Sequence, residues 1–375
     1  MEKSNYILRN SISLEECKLD WESIFNLTKK HIKPSTWYSD TGYGLTHIYK
    51  DYAGFDNSYI PKVNTLHGTF MGMNDSWWLN SEAGFKSTPA MFIHYNYLKN
   101  KLENLFKNKK KSFYLISHPY HYILDNYKVD TIKNKKGSIL FLPHTLGYGK
   151  PLNINFLTKV LNELTDDFLP IRICIHPNDF ESETVNKLRT LNYEIVSCGG
   201  RYDPLFLHRF FWVCNGFNYC LSIDLSTHTI LSSLSGLKII SLIDRIPMMN
   251  WIHGNYVPPN ILPDFEYWDI LDEYYSHEIN QEKFYNAANE VTGAKYKLSR
   301  EDLKSIFNKC ESDFYYKKMF YNLSCRNWSL FEQILRNLRA YKKAIQNRLS
   351  GNNKLLKAIS PRFIYELYKY HKSFL

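Results

Sequence analysis

Between Gly137 and Asp244 the hydrophobic positions come in short runs, and each run stops at a polar residue or a turn former. Ser138 to Leu142 runs into Pro143-His144-Thr145, and Leu169 to Ile175 into His176-Pro177. Tyr193 to Ser197 meets Cys198-Gly199-Gly200, Tyr219 to Ser222 leads to Asp224-Leu-Ser226-Thr227, and Leu237 to Ile243 stops at Asp244. Runs of this length predict strands buried on both faces. Between them, Ile154 to Leu164 carries Phe156, Val160, Leu161 and Leu164 at helical spacing, Glu181 to Leu191 opens acidic, and a helix of small residues is predicted to end at Gly236. Strands and helices alternating at this spacing imply an α/β fold with a parallel sheet and right-handed crossovers.

The first part of the chain is patterned less regularly. A helix is predicted up to residue 30, with Leu14, Cys17, Trp21, Ile24 and Leu27 on one face. Ser35 to Gly44 is a turn-rich loop containing Asp40, and its Gly42/Gly44 pair suits either close approach to a phosphate or an ordinary loop. A short strand from Tyr59 is predicted to end at His67-Gly68, and another, from Phe113, at His118-Pro119. Ala90 to Tyr95 fits a strand or a helix start, and Tyr97 to Phe106 fits a helix. The polar, basic stretch from Asn126 to Lys136 is the expected linker. The expected division is 1–130, 137–300 and a C-terminal helical segment, 301–375.

The polar residues gather where ligands of open α/β sheets bind, just past the carboxyl ends of strands. His144, Thr145, His176, Pro177, Ser222, Ser226, Thr227 and Thr229 are the candidates there. Ser226, Thr227 and Thr229 open a helix, so hydroxyls and backbone N–H groups are available to an anion. Each has a plainer alternative: His176 satisfying a tight turn, Ser226-Thr227 serving as an N-cap. Arg209, in the aromatic stretch Phe206 to Trp212, is either a donor ligand or a structural ion-pair partner. No cluster of carboxylates ends a strand, so no metal is expected, nor any cofactor beyond a co-substrate.

Composition narrows the classes. With 375 residues, 44% hydrophobic and 22% charged, the chain is long enough for two cores and unlike a disordered one. No run has the roughly 18 apolar residues a spanning helix needs, and none near Met1 resembles a secretory signal. Seven scattered Cys without a CxxC pair point to a reducing cytoplasm. The net charge is +10, yet residues 331–375 hold ten basic residues against two acidic, a net +8. A near-neutral body argues against nucleic acid as the partner. The amphipathic, basic end suits the inner face of an anionic membrane.

The order strand-Pro-His-Thr, strand-His-Pro, strand-Ser, Ser-Thr at a helix start and Gly-Leu-Lys-hydrophobic strand resembles the nucleotide-binding half of GT-B glycosyltransferases, in particular bacterial sialyltransferases and Kdo transferases. Leu66-His67-Gly68-Thr69 is similar to the His-Gly of CDP-glycerol glycerophosphotransferases and related capsule enzymes. The resemblance covers about residues 55–245. The Asp/Glu-Asp/Glu-Gly base motif of the sialyltransferases is absent from the first half.

The resemblance implies two Rossmann-like domains and transfer of a sugar from a nucleotide donor, with CMP-linked donors favoured. The implied acceptor is a surface glycan such as a lipopolysaccharide or capsule precursor. It places the donor on His144, Thr145, His176, Pro177, Ser222, Ser226, Thr227, Thr229 and Arg209, and makes His67 the base with Asp40 as the alternative. Two other classes compete: a sugar-nucleotide epimerase of the same fold, which would want more cleft carboxylates, and a non-enzymatic binder of RNA or anionic membrane.

Overall fold

The alternation of apolar residues along each strand decides which helices it meets. We describe a computed structural model over residues 20–30, 42–56, 59, 61–65, 88–107, 111–126, 135–142, 154–223, 225–242, 273, 274, 276 and 278–324. Five strands, β4 (Ser138–Phe141), β5 (Ile171–Cys174), β6 (Glu194–Val196), β7 (Tyr219–Ser222) and β8 (Lys238–Ser241), form one parallel sheet in the order β6-β5-β4-β7-β8. Leu140, Ile171, Ile173, Ile195 and Leu221 point to the face covered by α5 (Ile154–Asn162) and α6 (Glu183–Thr190). Their alternates Ile139, Phe141, Cys174, Cys220 and Ile239 point to the face covered by α7 (Phe206–Asn215) and α8 (Thr227–Leu234). Helix on both faces is the arrangement that lets a parallel sheet bury both of its sides.

Local chemistry sets the helix ends. Ser182 accepts the Val185 N–H at the start of α6. Asn280 does the same for Lys283 at the start of α9 (Gln281–Val291). Ser182, unlike an alanine, satisfies a backbone donor that would otherwise have no helical partner. Gly293, with φ +66, ends α9 in the left-handed region.

The first unit has a smaller parallel sheet, β1 (Val63–Thr65), β2 (Ala90–Ile93) and β3 (Ser112–Leu115), in that order. It carries α2 (Leu45–Tyr52), α3 (Asn96–Leu105) and α4 (Pro119–Asn126), while α1 (Trp21–Lys30) stacks Phe25 on Phe180 of the second unit. Ala90 to Ile93 is therefore a strand, and the helix begins after it at Asn96.

The last described helix, α10 (Arg300–Ser324), opens the expected C-terminal helical segment. Helix α9 packs on α8 of the second unit, but α10 returns to the first. Phe307 meets Phe92 of β2 and Phe55 at 5.6 Å each, and Tyr59 at 6.1 Å. The connection between α9 and α10 is held by α4 and the two residues before it. The Ser117 N–H donates to Tyr296 O and the His118 N–H to Thr292 O. His121 Nε2 lies 2.8 Å from Thr292 Oγ1, the Leu298 N–H donates to Tyr122 Oη, and Lys297 pairs with Asp125. The apolar cluster on the α7/α8 face runs unbroken into the first unit. Among the described residues no helix is long and apolar enough to cross a membrane.

Candidate functional site

From β4 the chain moves outward to β5 and β6, then returns past β4 to β7 and β8. The strand order therefore reverses between β4 and β7. At such a point the connections leave in opposite directions and open a crevice beyond the carboxyl ends of the strands. His176 follows β5 and Ser226-Thr227-His228 follow β7, so they flank this point. His144 and Thr145, as well as His67 and Asp40, lie outside the described residues.

At the β7 side, Ser226 occupies the N-cap position of α8 in extended backbone, but its side chain makes no capping hydrogen bond. Its Oγ instead stands 2.9 Å from both ring nitrogens of His228. The His228 ring lies at 5.1 Å and 30° on Phe141, the last residue of β4, which in turn stacks at 5.0 Å on Phe210 of α7. An aromatic ladder thus floors the strand ends and holds an imidazole and a hydroxyl at the helix start. Ser226, Thr227 and His228 are all partly exposed. His228 was not among the residues singled out by sequence. Its signal, an imidazole in the first turn of a helix opened by Ser-Thr, was present but short.

Ser222 and Thr229 are placed differently from the expectation. Both are fully buried; Ser222 Oγ lies 2.8 Å from Thr229 Oγ1 and 3.0 Å from Tyr274 Oη. They tie β7, α8 and Tyr274 together behind the crevice, and Thr229 Oγ1 lies 3.4 Å from the Ser226 Oγ at its edge.

At the β5 side, Pro177 is buried as the first residue of a single 3-10 turn, Pro177–Asp179. The Asn178 N–H donates to His176 Nδ1 at 3.2 Å. A neutral imidazole that accepts at Nδ1 carries its proton on Nε2. The cap therefore assigns the ring N–H to Nε2, on a partly exposed side chain. The two roles weighed for His176, turn satisfaction and ligand donor, are compatible because they use different nitrogens.

Arg209 does not present its charge to the crevice. Its guanidinium is 2% exposed and paired with the 1% exposed carboxylate of Asp203. Asp203 Oδ1 also accepts the Leu205 N–H at 2.9 Å. Gly199, at φ +101, closes over the pair, where a Cβ would collide with the Asp203 carboxylate. Arg209 is thus the structural ion-pair partner, the alternative raised by its aromatic surroundings.

The Gly42/Gly44 pair is likewise used by protein rather than ligand. Gly44, at φ +73, fits against the Pro204 carbonyl with no room for a Cβ, and the Tyr43 N–H donates to Arg201 O. The first unit therefore rests on the loop 199–205. His47 of α2 and His208 of α7 face this boundary. Burial, then Lys50, lowers the His47 pKa to about 4; burial, then Arg209 and His47, lowers that of His208 to about 3.

Among the described residues no group of three or more His, Cys, Asp or Glu is placed to hold a metal ion. Cys174, Cys198, Cys214, Cys220 and Cys310 are buried free thiols. The polar groups beside the switch point are the His176 ring, the Ser226 and Thr227 hydroxyls and the first turn of α8. No protein-family model matches the chain, and no curated protein matches it significantly.

Proposed function

We propose that the chain is a glycosyltransferase of GT-B-like architecture that takes a sugar from a nucleotide donor. The reversal of strand order between β4 and β7, with His176 and Ser226-Thr227-His228 on its two sides, carries this reading. The return of α10 to the first unit supports it, because GT-B enzymes often send a C-terminal helix back to their first domain. In glycosyl transfer the developing charge sits on the leaving phosphate, and preorganised donors there stabilise the transition state. The His176 ring N–H and the hydroxyls of Ser226 and Thr227 take that role, and His228, braced by Phe141 and Ser226, supplies a further imidazole. CMP-linked donors are the favoured class. The acceptor is a surface glycan precursor, and His67 acts as its base with Asp40 as the alternative.

The test is thermal shift of the full chain with CMP, CDP, UDP and GDP. One nucleotide should raise the melting temperature, and His176→Asn and Ser226→Ala should each weaken its binding about tenfold. Absence of binding by all four, or binding by both variants as tight as the wild type's, would overturn the assignment.

A further inference from the structure

A cavity of about 690 Å³ lies against the outer edge of β6, two strands away from the switch point. Its volume is within the range of small-molecule sites, about 300–1,000 Å³. Trp21 of α1, Tyr193 and Trp212 of α7 provide aromatic walls. The charged lining is balanced, Arg172 and Arg189 against Asp20 and Glu194. Those charges are already engaged. Arg172 pairs with Glu194 at 2.6 Å, Arg189 stacks over Trp21 at 4.2 Å, and Asp20 accepts from Ser23 at the start of α1. An ionic ligand would have to displace one of these contacts and would meet no net attraction.

The strand edge offers little to a peptide. The Val196 carbonyl accepts the Ile175 N–H, so Glu194 and Val196 turn their backbone groups to β5. Only the middle residue of this three-residue strand, Ile195, faces outward. Strand addition draws its affinity from a row of such groups. Aromatic faces beside fixed, mutually paired polar side chains instead match a ligand that alternates C–H faces with hydroxyls.

We propose that this cavity binds a neutral oligosaccharide, as a site separate from the switch point. Sugar rings lie on Trp212 and Tyr193, and their hydroxyls bond the Arg172–Glu194 pair and Asn192. The assignment rests on the chemistry of this lining and does not depend on the nucleotide reading.

The experiment is saturation-transfer NMR on the full chain with neutral tri- and tetrasaccharides of hexose and N-acetylhexosamine, beside a charged oligosaccharide and an extended peptide. Transfer should reach the C–H faces of a neutral saccharide. Binding should weaken about tenfold in Trp212→Ala and in Asn192→Gly, an exposed position whose positive φ a glycine keeps. The nucleotide thermal shift, measured on the same samples, should not change. No transfer to any neutral saccharide, transfer undiminished from the wild type in both variants, or preference for the peptide or the charged sugar would overturn the proposal. Saccharide binding with no nucleotide binding would leave it standing and remove the glycosyltransferase reading.

Discussion

His118 and His176 do the same backbone task in the two units. Each follows a strand, precedes a proline, and accepts at Nδ1, 3.2 Å away, the N–H of the residue two positions on. They differ in what surrounds the other nitrogen. His118 is fully buried with His94 at 4.9 Å, whereas the His176 ring is partly exposed. His176→Asn should keep the turn, since Asn is a good cap, and change the urea midpoint little. His118→Ala loses a cap worth about 1 kcal/mol and leaves a cavity, so it should be the more destabilised. Equal midpoints for the two variants would contradict the shared geometry with unequal burial.

Breaking the buried pair should be costly. Asp203→Ala takes the Asp203 carboxylate away from an Arg209 side chain that is only 2% exposed. A loss of about 3–5 kcal/mol in urea unfolding is expected. A change below about 1 kcal/mol would mean that the charge finds solvent.

Acid should weaken the contact between the units. Burial holds His47 and His121 at about 4 and His208 at about 3, below the ordinary 6.5. The unfolded chain therefore binds more protons than the folded one between these values. Their contribution is fully present above about pH 6.5 and is lost as pH falls towards 4 and 3, by up to about 1.4 kcal/mol per pH unit for each group. The urea midpoint should drop between neutral pH and about pH 5, and His47→Gln should flatten that dependence. A pH-independent midpoint in the wild type would refute the burial of these rings.

Tyr274→Phe removes one of the two hydroxyls beside buried Ser222. Stability should fall by about 1 kcal/mol while nucleotide affinity stays within about twofold, because the network stands behind the crevice. A tenfold loss of affinity would place Tyr274 in contact with ligand.

The basic C-terminal segment, residues 331–375, is expected to hold the chain on anionic vesicles. Co-sedimentation should be salt-sensitive for the full chain and much reduced for one ending at Ser350. Equal recovery of both would assign the segment another role.

Much of the second unit was legible because its strands are short apolar runs closed by His, Pro, Gly or Ser, and strand ends are where polar residues are exposed. Helix α7 was not. Phe206 to Asn215 is aromatic around its circumference, since it lies between the sheet and the first unit, so no polar face marks its period. The ion-pair role of Arg209 was among the alternatives, but its partner was hidden, because pairing with Asp203 depends on the turn at Gly199. For the Gly42/Gly44 pair the sequence offered a phosphate or an ordinary loop, and could not say that the group pressed against Gly44 is the Pro204 carbonyl. The Ala90–Ile93 strand was ambiguous because four apolar residues suit either period.

The return of α10 has a consequence for how the chain matures on the ribosome. Phe307, which covers Phe92, is made after the whole second unit. Synthesis proceeds from the N-terminus and domains ordinarily close as they emerge. Here the sheet that is translated first keeps Phe92 only partly covered, by Tyr49 and Tyr114, until the sheet translated second has been passed and the chain comes back to finish it.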